Sequence, residues 1–190
     1  QTFKRTENRH DYAVPPPADN LLPLMKDNGL DVVCIGKIAS IYDSLGVTED
    51  LTAKNNEQAI QQTINALEKD SHGLIFSNLV DFDMLYGHRR DTEGYARALE
   101  HFDRRLPEIL AALSPDDLFI ITADHGNDPT TYSTDHARET VPLLAIGPAV
   151  RPGHIGERPT FSDLGATVGE WLGVSFRGRG ESFLSRLIAE

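Results

Sequence analysis

Gly73-Leu-Ile-Phe-Ser-Asn-Leu-Val-Asp-Phe-Asp83 is an apolar run that stops on two carboxylates. Continuous apolarity over a short span, with no polar alternation, predicts a strand over 73–80 buried on both faces. Similar runs recur along the chain. Asp31-Val-Val-Cys-Ile35 is a short valine-rich strand, and the pattern adds strands over 117–122 and 141–146. Helical spacing lies between them. Asp19 to Lys26 is a short helix with Asp19 as its cap and Pro23 in its first turn. Asn55 to Lys69 carries Ile60, Ile64 and Leu67 on one face. Glu93 to Leu113 carries Tyr95, Leu99, Phe102, Leu106, Ile109 and Leu113 at helical intervals, with a kink expected at Pro107. Ser162 is expected to cap a last helix running to about Leu172. Strands separated by helices imply an α/β fold, a parallel sheet covered on both faces.

Ligands in such sheets bind beyond the carboxyl ends of the strands, and there the polar clusters fall. The first is Asp81-Phe-Asp83, with His88 one short loop later. The second is Thr122-Ala-Asp124-His125-Gly126-Asn127-Asp128, in which Gly126 is expected to allow a sharp turn. The third is Thr134-Asp135-His136-Ala137-Arg138-Glu139, before the 141–146 strand. A lone Asp–His pair is usually a solvated surface pair. Three carboxylate–histidine clusters at the edge of one sheet point instead to a metal centre. Carboxylate oxygen and imidazole nitrogen without thiolate suit manganese, zinc or iron. Several histidines disfavour a site meant only for magnesium or calcium.

Composition agrees with a soluble globular chain, 39% hydrophobic and 25% charged over 190 residues. The formal net charge of −11 argues against nucleic acid or an anionic membrane as partner. It does not exclude a phosphorylated substrate, because two divalent cations reverse the local sign. No run approaches the length of a membrane span, and no signal peptide is apparent. The start at Gln1 suggests a processed or truncated N-terminus. Cys34 is the one cysteine, so no internal disulfide forms. A cytoplasmic location is expected, and Cys34 reads as a small buried hydrophobe. Pro15-Pro16-Pro17 separates a short N-terminal segment from the main body.

The segment Thr122-Ala-Asp-His-Gly-Asn127 resembles the signature of the alkaline phosphatase superfamily, which includes cofactor-independent phosphoglycerate mutases and phosphopentomutases. Asn78-Leu-Val-Asp-Phe-Asp-Met-Leu-Tyr-Gly-His-Arg-Arg90 is similar to phosphopentomutases in particular, the comparable Asp and His of phosphoglycerate mutases being one residue closer. Arg5-Thr6, Asn8-Arg-His-Asp-Tyr12, Gly36-Lys-Ile38, Ile41-Tyr-Asp43, Gly46-Val-Thr48, Val141-Pro-Leu-Leu144, Asp163-Leu-Gly-Ala-Thr167 and Ser182-Phe-Leu184 extend the likeness over the whole chain.

The resemblance implies a three-layer sandwich with a mainly parallel sheet and an alkaline phosphatase-like core. That core would be incomplete, because the family's N-terminal part has no counterpart here. Residues 1–13 would be the end of a cap domain and its return linker, and 14–190 the C-terminal part of the metal-binding core. Two manganese ions are implied, one on Asp83, His88 and His136, the other on Asp124 and His125. The implied reaction interconverts ribose 1-phosphate and ribose 5-phosphate, or the 2-deoxy forms, through a phosphothreonine. That threonine and a further metal-binding aspartate are not matched, so the 190-residue chain alone is expected to be inactive. Lys37 and Arg9 are candidates for binding the pentose phosphate, or ordinary surface charges. Asp81, Asp128 and Asp135 are expected to support the ligands. Arg89 and Arg90 would contact substrate or pair with Asp91 or Glu93. His10, His72, His101 and His154 read as surface residues. A sheet lacking part of its core is expected to self-associate. The rival readings are a metal-dependent phosphohydrolase of the same superfamily and a non-catalytic folded fragment.

Overall fold

A computed structural model describes residues 14–188 apart from positions 18, 70 and 177. The 1–13 segment, with Arg9 and His10, lies outside the described residues. Chain order is α1 (Leu21–Asp27), β1 (Asp31–Ile35), α2 (Ile38–Ile41), β2 (Glu49–Leu51), α3 (Asn56–Leu67), β3 (Gly73–Ser77), a π-helical turn (Phe82–Gly87), α4 (Thr92–Ala112), β4 (Phe119–Ile121), β5 (Leu144–Ile146), α5 (Ser162–Trp171) and α6 (Leu184–Leu187).

The fold is α/β, built on a parallel sheet of order β2-β1-β3. Its central strand explains the layering. Alternate side chains of a strand point to opposite faces. Val32 and Cys34 of β1 pack with Leu21, Leu22 and Met25 of α1, with Val168 of α5 and with Val174 beyond it. Val33 and Ile35 pack on the other face against Ala59 and Ala66 of α3. Helices therefore cover both faces of the sheet. A third apolar cluster joins Ile60 and Ile64 of α3 to Ile109 and Phe102 of α4 and to Phe119 of β4. Cys34 is buried as expected, and burial, with Asp50 nearby, pushes its thiol pKa up to about 11.

Several elements differ from the sequence reading. β4 and β5 do not continue the parallel sheet but form an antiparallel pair of their own. β5 begins at Leu144 rather than Val141, and Pro142, which has no N–H to donate, stands just ahead of it. Asp117 lies in a turn, its N–H donating to Ser114 O and its carboxylate accepting from Ser114 N, so β4 starts at Phe119. β3 ends at Ser77. Leu79 is apolar because it packs beside α3, not because the strand continues.

Helix caps shift by a residue or two. Asn20, not Asp19, caps α1 by accepting from Leu22 N. Asp91 caps α4 through Gly94 N, and the helix runs on through Pro107. Ser162 is inside α5, whose first N–H groups donate to the side chain and carbonyl of Thr160. No helix among the described residues is long and apolar enough to cross a membrane.

Candidate metal centre

The π-helical turn explains how Asp83 and His88 come together. Residues five apart in an α-helix are separated by about 1.4 turns and face different directions. A π turn closes its hydrogen bonds between residues five apart, and His88 N donates to Asp83 O at 3.1 Å. Both side chains then leave the same face. Asp81 anchors the start of this turn through a reciprocal clamp on α3. Asn56 N donates to Asp81 Oδ2 at 2.8 Å, and Asp81 N donates to Asn56 Oδ1 at 2.9 Å. Asp81 thus fixes the turn that carries Asp83 and His88.

The second and third clusters are held to each other by a single antiparallel bridge. Gly126 N donates to Ala137 O at 3.2 Å, and Ala137 N donates to Gly126 O at 3.3 Å. The chain bends at 124 and 125, just before Gly126, and close packing gives a further reason for glycine there. A Cβ at this position would lie 2.8 Å from Ala137 O and 2.9 Å from Glu139 Cβ. Glycine is needed for close approach of the two segments, which sets His125 beside His136.

Three of the five predicted side chains converge, His125 packs on one of them, and Asp124 lies beside His125. Ligand atoms of Asp83, His88 and His136 lie within 4.8 Å of one another. His136 Nε2 is 3.0 Å from Asp83 Oδ1 and 3.2 Å from His88 Nε2, and His88 Nε2 is 3.4 Å from Asp83 Oδ1. The ring of His125 stacks on that of His136 at 3.6 Å between centroids, tilted 17°. Asp124 Oδ1 is 3.5 Å from His125 Nε2, and its side chain is 72% exposed.

Backbone contacts orient two of the rings. His88 Nδ1 is 2.5 Å from Thr134 O. A carbonyl oxygen only accepts, so Nδ1 carries a proton and Nε2 is the ring nitrogen turned toward Asp83 and His136. His125 Nδ1 likewise donates to Gly126 O at 3.2 Å, which turns its Nε2 toward Asp124. A histidine that donates one ring N–H to a carbonyl and presents its other nitrogen to carboxylates is arranged as metal-binding histidines are.

The remaining sequence candidates are spread around this centre. Lys37 follows β1 at the carboxyl end of the sheet, with Nζ 2.8 Å from Met84 Sδ in the π turn. Asp128 does not reach the ligands. Its Oδ1 accepts from Thr130 Oγ1 and N, which holds its carboxyl below the usual range. Asp135 N donates to Ser133 Oγ, within its own loop. Arg90 lies over the Tyr132 ring, 5.9 Å from its centroid, while Asp91 caps α4 and Glu93 pairs with Arg97. The pairing expected of Arg90 is thus replaced by stacking. His101 is paired with Glu57 at 2.6 Å between α3 and α4.

One residue was passed over in the sequence. Asn127 Nδ2 donates to Asp83 Oδ1 at 3.1 Å. Its place inside the Asp124–Asp128 string was a signal, but nothing in that string says that its amide reaches the preceding cluster.

Comparison with known proteins gives the family. A family model described as the Metalloenzyme superfamily matches residues 5–176. Phosphopentomutases of Desulfitobacterium hafniense, strains DSM 10664 / DCB-2 and Y51, are each 55% identical over 98% of this chain and 48% of their own length. The phosphopentomutase of Symbiobacterium thermophilum is 52% identical over 97% of this chain and 47% of its own. The chain spans about half the length of the curated relatives it matches. With that family match and this cluster of carboxylates and imidazoles, the chain belongs to the Metalloenzyme superfamily.

Proposed function

We propose that this chain forms the metal-binding part of a phosphopentomutase, which interconverts ribose 1-phosphate and ribose 5-phosphate and their 2-deoxy forms with two manganese ions. One observation carries the reading. His88 Nε2 faces the Asp83 carboxylate at 3.4 Å and His136 Nε2 at 3.2 Å, and the ligand atoms of all three lie within 4.8 Å of one another. A carboxylate and two imidazoles that converge this closely each offer one ligand atom to a single cation. A divalent cation fits such a set, and carboxylate oxygen with imidazole nitrogen suits manganese.

In this reading Asp83, His88 and His136 hold one ion, and Asp124 and His125 contribute to a second. Such a pair neutralises phosphoryl charge and stabilises the attacking and leaving oxygens of an in-line displacement. Lys37 approaches from the end of β1. Its partner Met84 Sδ is a weak acceptor, which leaves ammonium protons for a sugar phosphate. Arg9 is proposed for the same role from the cap side. The nucleophilic threonine and a further aspartate would come from the part of the relatives that this chain does not match. Covalent transfer requires that nucleophile. We therefore expect the purified 190-residue chain, given manganese and ribose 1-phosphate, to form no ribose 5-phosphate. Isomerisation by this chain alone would overturn that assignment. A protein of the relatives' full length should isomerise faster than it releases phosphate, and the reverse would make it a phosphohydrolase.

The same reading predicts association. β3 pairs with β1 along one edge only among the described residues, and Gly73-Leu-Ile-Phe-Ser77 carries no charge or proline to discourage a further strand. Ser77 Oγ and Asn78 Oδ1, at the end of β3, are buried without hydrogen-bond partners. Light scattering after gel filtration should show oligomers whose share rises with concentration. A monodisperse monomer throughout would count against an open edge.

A further inference from the structure

We infer that Asn127 is a positioning residue that locks the two halves of the metal centre together; this rests on the metal-centre reading above. Asn127 belongs to the segment that carries Asp124 and His125, yet its amide reaches the other half. Nδ2 donates to Asp83 Oδ1 at 3.1 Å, the same oxygen that His136 Nε2 approaches at 3.0 Å. A donor fixed on Oδ1 restrains rotation of the carboxylate that the imidazoles also approach.

A second observation shows that the fit is built in. The Asn127 side chain lies against the backbone of Gly87, the last residue of the π turn. A Cβ at Gly87 would stand 2.1 Å from Asn127 Oδ1, 2.2 Å from Nδ2 and 2.4 Å from Cγ. No φ in the left-handed region is involved, since Gly87 is absent from the positive-φ glycines. Glycine is therefore required at this position by the amide and not by the backbone. Asp83 and His88 flank Gly87 in the π turn, so one side chain registers that turn against the loop after β4. Outer contacts of this kind change metal affinity by about 10- to 100-fold when removed.

The test titrates manganese into this chain and three variants, reading free ion from its six-line electron paramagnetic resonance signal. Cobalt spectra report coordination geometry, and unfolding of the metal-free proteins reports the fold. Asn127→Ala should weaken manganese binding about tenfold or more and alter the cobalt bands, with little change in metal-free unfolding. Gly87→Ala should do the same by displacing the amide, and it decides the matter if Asn127→Ala loses its fold. In the double variant the new methyl enters space the amide has left, so its loss should be no greater than that of either single variant. Wild-type affinity within twofold in both single variants overturns the assignment while leaving the metal centre intact. Additive losses in the double variant also overturn it, because the two residues would then act separately. No manganese binding by the wild-type chain would instead defeat the metal-centre reading, and this inference with it.

Discussion

Replacing His136 with alanine should weaken manganese binding by about 100-fold or more, beyond the range expected of an outer contact. The reason is its position. His136 Nε2 lies 3.0 Å from Asp83 and 3.2 Å from His88, and its ring stacks on His125. Its removal takes a donor from one proposed ion and a packing partner from the imidazole that serves the other. Asp124 provides the contrast. It is largely exposed and lies 3.5 Å from His125 Nε2, so Asp124→Ala should affect the second ion alone. Calorimetric titration with manganese should therefore give a reduced stoichiometry for Asp124→Ala and almost no heat for His136→Ala. Binding by His136→Ala within about threefold of wild type would remove the proposed cation from between Asp83, His88 and His136.

The layers of the fold were legible because burial on both faces leaves an unmistakable mark. Asp31–Ile35 has four consecutive buried residues, and no amphipathic pattern competes with that run. The face of α3 that carries Ile60 and Ile64 was equally plain. What escaped was short or set by partners far along the chain. β2 is three residues with two carboxylates, held in place where Thr48 Oγ1 accepts from Val32 N and Thr48 N donates to Val32 O. Nothing local in Glu49-Asp-Leu51 signals a strand. β4 and β5 were recognised as strands, but their antiparallel pairing depends on how the chain returns across more than twenty residues. Local periodicity carries no information about that return.

The clustering of the candidate side chains was legible for a different reason. Carboxylates and imidazoles are common metal ligands, and ligands bind beyond the carboxyl ends of the strands in a parallel sheet, so chemistry and topology pointed to the same segments. The five-residue spacing of Asp83 and His88 has a physical counterpart here. A π turn brings residues five apart onto one face, as an α-helical turn does for residues four apart. Asn127 was missed for the opposite reason. Its identity is consistent with any turn, and only the approach of Gly87 shows what the amide is for.

Asp163→Ala should cost about 3–5 kcal/mol of folding stability, the usual loss when one partner of a buried ion pair is removed. Asp163 opens α5 with its side chain only 2% exposed, and Oδ2 accepts from Arg158 Nε at 2.7 Å. Oδ1 accepts from Glu181 N at 2.9 Å, while the backbone oxygen accepts from Thr167 Oγ1, which in turn accepts from Phe183 N. Arg158 also donates to Glu181 O and lies over the Phe183 ring. One carboxylate thus pins the segment before α6 to α5, and through Val168 and Leu172 to the face of β1 covered by α1. Alanine would strand the Arg158 cation, whose side chain is 13% exposed. The Glu181 N–H, with the Arg158 guanidinium, holds the Asp163 carboxyl below the usual range against the opposing effect of burial. A depressed folded value means that this contribution is complete above the ordinary carboxylate range and is lost as pH falls through the folded value. Urea unfolding of Asp163→Ala should therefore lose part of the wild-type acid sensitivity below about pH 4. The Arg158→Ala/Asp163→Ala double variant should recover part of the single variant's loss, because no buried charge is then left unpaired. A loss under about 1 kcal/mol, or an unchanged acid limb, would show that Asp163 is not the residue holding the C-terminal segment in place.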